Sequence, residues 1–171
     1  RLSRGLGDVY KRQILNNKIN ILLGIGGSGP TKRIPADKFK KFISLVIKDH
    51  ECTFYLATGK NEEEQVILKD IISSYKDFCV ALDNYSISEI LPIIKSCKVS
   101  ICNDSSFSHL SAALNIPTIV LMSDTPLIYG SYSPNMYPIV PDGIENVSHN
   151  SRGKEKINPE KIYNKFKSII S

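Results

Sequence analysis

The stretch from Val99 to Leu121, VSICNDSSFSHLSAALNIPTIVL, constrains the fold more than any other part of this chain. Its apolar, β-branched start, Val99–Cys102, predicts a strand, and Thr118–Leu121 predicts a second. Between them, a turn of asparagine, aspartate and serine precedes a helical pattern over Ser106–Leu114, which is typical of a capped helix start. A helix start leaves backbone N–H groups without partners and suits an anion. We therefore predict a strand–helix–strand unit with a ligand site at its polar turn and His109 one turn into the helix.

The same alternation of apolar runs and amphipathic segments extends through the chain. Continuous apolar runs, typical of parallel strands covered on both faces, predict three further strands: Ile19–Ile25, Cys52–Ala57 and Phe78–Leu82. The resulting order, βαβαβαβαβ, predicts a Rossmann-like α/β fold, which is a parallel sheet with helices on both faces. After Leu121 the sequence predicts irregular structure, a loop over Asp142–Lys156 and a final helix over Pro159–Ile170.

Helix starts follow each of the first three strands. One helix begins after Pro35, and a second opens at the acidic run Glu62-Glu63-Glu64, whose charge favours the positive helix end. Ser86 or Ser88 caps the third, with Pro92 near its first turn, where proline is tolerated.

The four cysteines indicate a reducing compartment. Cys52, Cys79, Cys97 and Cys102 form no C-x-x-C pair and lie in or beside apolar segments. Free cysteine in such segments behaves as a small core residue, so we expect neither disulfides nor a metal site. The expected location is the cytoplasm.

The first residues differ in character from the rest. Residues 3–13, SRGLGDVYKRQ, resemble the in-frame translation of a sequencing adapter, so we expect residues 1–13 to be a non-native tail and 14–171 the native domain. A basic, flexible N-terminal arm is the alternative. Within the first 13 residues four basic residues outweigh one acid, which accounts for three of the five net positive charges. The remaining charge is ordinary, and we predict no nucleic-acid binding.

Three polar turns should meet at one edge of the predicted sheet. In parallel sheets ligands bind beyond the carboxyl ends of the strands. The turns at that edge are Gly26–Arg33, Thr58–Glu62 and Asn103–His109. They offer flexible backbone, two cations, a carboxylate, a helix N-terminus, hydroxyls and an imidazole. A ligand with phosphates and hydroxyls would use all of them, so we predict a nucleotide derivative.

At these residues the chain resembles glycosyltransferase family 9, the ADP-heptose:lipopolysaccharide heptosyltransferases. The shared elements are Lys32-Arg33-Ile34-Pro35, the acidic run from Glu62, and the segment Asp104–His109 followed by Ala112-Ala113 and Pro117. The resemblance extends from Ile19 to about Pro138, and its specific part is the segment from the aspartate to the histidine. It implies that residues 14–171 are the C-terminal, donor-binding half of a two-domain GT-B fold, without the N-terminal acceptor domain.

The resemblance also implies roles for individual residues. Lys32 would pair with the donor diphosphate, which Ser105 and Ser106 at the helix start would also hold. Asp104 would contact the sugar, and His109 a phosphate or sugar oxygen.

Further roles follow from the same resemblance. Glu62 would accept hydrogen bonds from ribose hydroxyls, and weaker contacts are expected from Gly27, Ser28 and Arg33. Each of the main residues also has a structural alternative. His109 could bond to backbone, Asp104 could only cap the helix, and the acidic run could serve only the helix dipole.

The implied reaction is an inverting transfer of heptose from ADP-heptose to a lipopolysaccharide-core or related glycan acceptor. The resemblance implies that no metal or cofactor is needed, and that the catalytic base lies in the other domain, so that this chain contains no catalytic residue. A peripheral contact with the cytoplasmic face of the inner membrane is also expected.

Departures from the family pattern put the donor sugar in doubt more than the reaction class. Ile34 replaces an aromatic residue, Ser106 a glycine, and Ser123-Asp124-Thr125 a Gly-Pro-Thr turn. Two other functions stay open: a sugar-nucleotide epimerase of the same architecture, and a non-enzymatic flavodoxin-like module. The second would need an acidic cluster after the first strand, which Ile19–Gly29 lacks. His50 and His149 fall in predicted loops and carry no predicted role.

Overall fold

A computed structural model describes residues 18–171, in which six strands form one parallel sheet. The strands are β1 Ile19–Gly24, β2 Cys52–Ala57, β3 Cys79–Ala81, β4 Val99–Asn103, β5 Thr118–Leu121 and β6 Met136–Ile139. Their order across the sheet is β3-β2-β1-β4-β5-β6, and every neighbouring pair is parallel. This is the order of dinucleotide-binding Rossmann sheets, in which the crevice for the ligand lies where the strand order reverses, beside β1 and β4.

Helices cover both faces of the sheet in the described part of the chain. They are α1 Ala36–Asp49, α2 Glu62–Tyr75, α3 Ile87–Ser96, α4 Ser106–Ala113 and α5 Pro159–Ile170. Side chains alternate between faces along a strand, so Ile21 and Leu23 of β1 pack with α1, α2 and α5. Leu22 between them packs with α3 and α4 on the opposite face. The predicted Rossmann-like α/β class is confirmed.

Aromatic rings fill the larger of the two cores. The Phe42 ring of α1 meets Phe54 of β2 and Phe166 of α5 edge to face, at centroid distances of 6.3 and 5.7 Å. All three side chains are buried, and such edge contacts add to the stability gained from apolar burial. The final helix is thereby fixed against the first.

Predicted element positions agree with those observed to within one residue at most boundaries, and three differences stand out. The third strand is confined to Cys79–Ala81, and Pro92 occupies the second turn of its helix rather than the first. The third difference is β6, since the sequence predicted irregular structure after Leu121. This strand is short and contains Pro138, which has no N–H to donate and is tolerated because β6 lies at the sheet edge.

The cap of α3 and the burial of the cysteines follow the sequence predictions. Ser86 is the N-cap of α3, and its backbone N–H donates to Glu89 at 2.8 Å, so the alternative cap Ser88 is excluded. The four cysteine thiols are unpaired, and all lie buried or half-buried among apolar residues. Among residues 18–171, no helix combines the length and apolar character that crossing a membrane requires.

Candidate functional site

Asn103, the last residue of β4, ties together the ends of the two central strands. Its side-chain amide donates to the carbonyl oxygens of Ile25 at 2.8 Å and Gly26 at 3.2 Å. Asn103 is fully buried, so these bonds are shielded from water and hold the loop after β1 beside the loop after β4. The predicted meeting of these two loops is therefore observed.

Two adjoining cavities open at this edge of the sheet. The glycine-loop cavity, of about 520 Å³, is lined by residues of the loops after β1 and β2 and by the start of α4: Gly26, Gly27, Ser28, Arg33, Thr58, Gly59, Asn61, Glu64, Ile87, Ser105, Ser106 and Phe107. The charged cavity, of about 350 Å³, is lined by Ser28, Lys32, Asp104, Ser105, Ser106, His109, Thr125, Tyr129 and His149. The two share Ser28, Ser105 and Ser106, so the helix start forms the boundary between them.

Asp104 is the centre of the charged cavity. One of its carboxylate oxygens, Oδ2, accepts hydrogen bonds from Lys32 Nζ at 2.9 Å and from Thr125 Oγ1 at 2.6 Å. The other, Oδ1, lies 3.9 Å from Nε2 of His109. Asp104 is 6% exposed whereas Lys32 is 26% exposed, so the cation faces the cavity while the carboxylate lies beneath it. The N-cap of α4 is Ser105, so the alternative in which Asp104 only caps the helix is not what the structure shows.

His109 is held by an aromatic partner. Its Nδ1 lies 2.7 Å from the hydroxyl of Tyr132, and the two rings stack with centroids 5.6 Å apart. This directs Nε2 toward Asp104 and the charged cavity. The structural alternative, in which His109 bonds to backbone, is not what the structure shows, since its ring partner is a side chain.

Glu64 joins the loops after β1 and β2 beneath the glycine-loop cavity. Its carboxylate accepts hydrogen bonds from the N–H of Gly27 at 3.1 Å, the N–H of Gly59 at 2.5 Å and the hydroxyl of Thr58 at 2.9 Å. Burial alone would raise the pKa of this carboxyl, but the hydrogen bonds together outweigh burial and hold the pKa below its usual value. Glu64 is thus an ionised structural link.

Close packing around Glu64 also explains a glycine. A Cβ atom on Gly59 would lie 2.7 Å from an oxygen of the Glu64 carboxylate, closer than real Cβ contacts allow. A side chain at position 59 would therefore displace the Glu64 carboxylate from the N–H groups that it binds.

Arg33 stabilises the first loop from the other side. Its Nε donates to the carbonyl oxygen of Gly27 at 3.0 Å and lies 3.5 Å from Glu64, and its Nη1 pairs with Glu63. The Arg33 side chain is 12% exposed. Both cations of the predicted motif thus have carboxylate partners, Arg33 in the acidic run and Lys32 at Asp104.

The start of α4 presents hydroxyls to both cavities. Ser105 is the N-cap residue, and its hydroxyl oxygen is buried without a hydrogen-bond partner of normal geometry. Ser106, which follows it, is exposed. Together with backbone N–H groups at the helix start, these hydroxyls can donate hydrogen bonds to an anion.

The turn Ser123-Asp124-Thr125 departs from the family pattern. It forms hydrogen bonds with three other segments of the chain, at Thr31, Asp104 and Arg152. The Ser123 hydroxyl donates to the carbonyl oxygen of Thr31 at 2.8 Å, and Thr125 donates to Asp104. Asp124 accepts a hydrogen bond from the N–H of Arg152 at 2.7 Å. Burial would raise the pKa of the Asp124 carboxyl, but this bond and the Arg152 charge lower it below its usual value.

Most predicted site residues meet around the two cavities. The lining includes Gly27, Ser28, Lys32, Arg33, Asp104, Ser105, Ser106 and His109. Glu62 is exposed at the first position of α2 and lines neither cavity, whereas Glu64 two residues later lines the first. The predicted contact of Glu62 with ribose stays a prediction.

The sequence predicted no site role for several other residues that line the charged cavity or contact His109. Thr125, Tyr129, Tyr132 and His149 reach the charged cavity or its histidine from beyond β5. Tertiary contact brings them there, although Thr125 belongs to a turn that the family resemblance had already marked. Glu64 had a detectable signal, since Asn61 three residues earlier caps the helix by accepting from its N–H at 3.0 Å.

The described side chains of the site do not form a cluster of metal ligands. Within residues 18–171, no group of three or more histidine, cysteine, aspartate and glutamate side chains is arranged to hold a metal ion. The positive charge in the cavities comes from Lys32, Arg33 and the start of α4.

Comparison with known proteins identifies similar sequences. A family model described as glycosyltransferase family 9 (heptosyltransferase) matches residues 8–165. A relative, lipopolysaccharide heptosyltransferase 1 of Campylobacter coli, is 32% identical over 145 residues, which cover 81% of this chain and 42% of that protein. The chain thus spans less than half the length of this curated relative. The predicted boundary between a tail and a domain at residue 13 stays a prediction, and residues 1–13 lie outside the described part.

Solved structures share the fold. A glycosyltransferase family 9 protein from Veillonella parvula aligns with a TM-score of 0.77 at 15% identity, over 97% of this chain and 50% of that one. The E. coli heptosyltransferase WaaC with ADP aligns with a TM-score of 0.73 at 17% identity, over 91% of this chain and 45% of that one. At such identities the agreement concerns the fold.

Proposed function

This chain belongs to glycosyltransferase family 9, the heptosyltransferases, and from that premise we propose that it binds the donor ADP-heptose for transfer of heptose to a lipopolysaccharide-core acceptor. The names of two similar proteins support the donor and the acceptor. The Campylobacter relative is called a lipopolysaccharide heptosyltransferase, and the aligned WaaC structure contains ADP. Family membership also favours a transferase over the alternative of a sugar-nucleotide epimerase.

The observation that carries the proposal is the convergence of Lys32, Asp104 and His109 beside the start of α4. A cation, a carboxylate and an imidazole meet there within one cavity, next to backbone N–H groups. Lys32 and the helix start would bind the diphosphate and stabilise it as a leaving group. Asp104 and His109 would hydrogen-bond to the heptose.

The different linings of the two cavities favour one orientation of the bound donor. In the glycine-loop cavity, Ile87 and Phe107 offer apolar surface that suits an adenine ring. The charged cavity suits the sugar and its phosphate. The diphosphate would then lie across the shared boundary at Ser28, Ser105 and Ser106. A donor bound in this way has its adenosine toward β2 and its heptose toward β5.

The reaction that we propose is an inverting displacement at the anomeric carbon of the heptose. The carboxylates that line the cavities, Glu64 and Asp104, are each engaged with several donors within the described residues. Neither is assigned as the base that deprotonates the acceptor hydroxyl. We expect that base on an acceptor-binding domain of the complete enzyme, which would lie opposite this edge of the sheet.

The proposal includes metal independence, because Lys32, Arg33 and the helix start supply positive charge to a diphosphate. Binding of ADP should then be unchanged by EDTA, and a requirement for Mg²⁺ would contradict this part. A cytoplasmic location, with peripheral contact of the complete enzyme at the inner membrane, also belongs to the proposal.

Isothermal titration calorimetry of the chain with ADP, ADP-heptose and UDP tests the proposal. We expect ADP-heptose to bind more tightly than ADP, and ADP more tightly than UDP. Lys32→Ala should weaken ADP binding about tenfold or more, since it removes a charge-assisted hydrogen bond. Lys41→Ala, on the exposed face of α1, is the matched control and should bind as the unchanged protein does. A folded protein that binds none of the three below millimolar concentration would refute the proposal, and a preference for UDP over ADP would contradict an adenosine donor.

A further inference from the structure

A second histidine, His149, lines the charged cavity from a loop for which the sequence predicts no role. Its side chain shares this lining with Lys32, Asp104 and His109, although it lies beyond β6 in the chain. Two imidazoles therefore border one cavity, one from α4 and one from the loop before α5. The second has no counterpart in the motif by which the family resemblance was identified.

The loop that carries His149 has a defined conformation. The N–H of Ser148 donates to the Ser151 hydroxyl at 2.9 Å, and the N–H of Ser151 donates to the Ser148 carbonyl oxygen at 3.2 Å. Asn150 and Arg152 have φ angles of 72° and 49°, in the left-handed region that side chains other than glycine adopt rarely. Such conformations persist where surrounding contacts impose them, and they are frequent at ligand sites.

Contacts on both sides of the loop impose that conformation. On one side Val147 is buried. On the other, the N–H of Arg152 donates to Asp124 at 2.7 Å, and the N–H of Gly153 donates to the carbonyl oxygen of Ser123 at 2.9 Å. Gly153 is packed so closely that an added Cβ would lie 2.3 Å from Cγ of Pro141. The backbone on either side of His149 is therefore fixed to the turn after β5 and to the core.

The charge of the cavity indicates what His149 can bind. Lys32 is the ammonium group of the lining, and it is paired with Asp104 at 2.9 Å. A diphosphate brings more negative charge than this pair can neutralise, so further donors are needed. An imidazole has two ring nitrogens, and in either protonation state it can donate a hydrogen bond to a phosphate oxygen.

We propose that His149 is a further donor-binding residue, whose imidazole donates a hydrogen bond to a phosphate oxygen of the bound nucleotide diphosphate. This inference rests on the proposed function, since it assigns the charged cavity to the same ligand. It implies that the loop 148–153 contributes to phosphate recognition together with the start of α4. Substitution of His149 should then weaken the binding of ligands that carry phosphates and leave the binding of adenosine unchanged.

The test compares ADP with adenosine in NMR titrations of the unchanged chain, His149→Gln, His149→Ala and His50→Gln. His50 is the matched control, because it ends α1 at the opposite edge of the sheet and lines neither cavity. We expect His149→Gln to weaken ADP binding about tenfold, the value of one charge-assisted hydrogen bond, with no change for adenosine. The ring Cε1–H signal of His149, identified by its absence in the His149 variants, should shift on addition of ADP.

Each other outcome overturns the inference. Equal ADP affinity in both His149→Gln and His149→Ala would show that the imidazole makes no contact, while the proposed function would stand. An equal loss of ADP and adenosine binding, or a lowered melting temperature, would show a structural role of the loop instead. If the unchanged chain does not bind ADP, the proposed function fails and this inference fails with it.

Discussion

Lys32 Nζ lies 2.9 Å from a carboxylate oxygen of Asp104, and this pair connects the loop after β1 with the loop after β4. Asp104 is nearly buried while Lys32 is partly exposed. A phosphate that enters the charged cavity therefore meets a lysine already bound to a carboxylate, and the two anions share one cation. Asp104 holds the lysine in place and also weakens its attraction for the diphosphate.

Asp104→Asn separates these two effects. The amide keeps the shape of the side chain and removes its charge, so Lys32 can interact more fully with phosphate. We expect ADP affinity to stay equal or rise, while the additional affinity for ADP-heptose over ADP falls about tenfold, because a neutral amide is a weaker acceptor for the sugar hydroxyls than a carboxylate. Calorimetry with both ligands measures this difference. A parallel loss of both affinities would contradict a sugar contact by Asp104.

Tyr132→Phe tests whether the tyrosine positions His109. The substitution keeps the stacked ring but removes the hydroxyl that lies 2.7 Å from Nδ1. We expect ADP-heptose binding to weaken about two- to tenfold, the range for one hydrogen bond. Because Asp104 lies 3.9 Å from Nε2, we expect the unchanged protein to carry the histidine proton on Nε2, with Nδ1 accepting from Tyr132.

Nitrogen-15 NMR of the imidazole detects the tautomer of His109 directly. In Tyr132→Phe the two ring-nitrogen shifts of His109 should move toward each other as both tautomers become populated. Tyr85→Phe, in the exposed segment before α3, is the control and should leave them unchanged. Unaltered nitrogen shifts in Tyr132→Phe would refute the positioning role.

Glu64→Gln should lower the free energy of unfolding at pH 7 by about 2 kcal/mol, since several hydrogen bonds to a buried carboxylate are weakened. The folded protein holds the pKa of Glu64 below its usual value, so this carboxyl contributes stability at pH values above its unfolded pKa of about 4.3. That contribution is lost as the pH falls through the lower, folded pKa. The stability difference between Glu64→Gln and the unchanged protein should therefore shrink below about pH 4.

Urea denaturation at several pH values between 3 and 7 provides this comparison. Glu62→Gln is the matched control, because Glu62 lies in the same helical turn but is exposed. A control variant that loses as much stability as Glu64→Gln would show that the effect comes from the helix dipole rather than from the buried link.

The cysteines should be unreactive in the folded protein. Burial raises the pKa of Cys52 to about 11 and the pKa values of Cys79 and Cys102 to about 12. At pH 8 the reactive thiolate is therefore scarce and also shielded. Ellman's reagent should label the native protein slowly, beginning with the half-buried Cys79, and should label all four thiols at once in urea. Rapid labelling of Cys97 or Cys102 in the native protein would contradict the described core.

Local sequence was sufficient for the elements with strong periodicity. The boundaries of β2, β5 and α5 agree with the predicted ranges, because long apolar runs and capped amphipathic helices form by short-range rules. The edge strand β6 was missed, since four residues with a proline gain their strand conformation only from pairing with β5. The cap Asn61 marks the helical turn that contains Glu64, but only burial in the tertiary structure distinguishes Glu64 from the two glutamates before it.

The sequence by itself determined the alternation of strands and helices, the polar turn Asn103–Ser106 and the presence of Lys32 and His109 at the carboxyl edge of a parallel sheet. Those features depend on neighbours in the chain and on the parallel order that short crossovers impose. Only the tertiary structure decided that Lys32 is paired with Asp104, that Tyr132 holds His109 and that His149 enters the charged cavity. The physical reason is that these contacts join segments distant in sequence, whose meeting depends on the packing of the entire sheet rather than on local conformational preference.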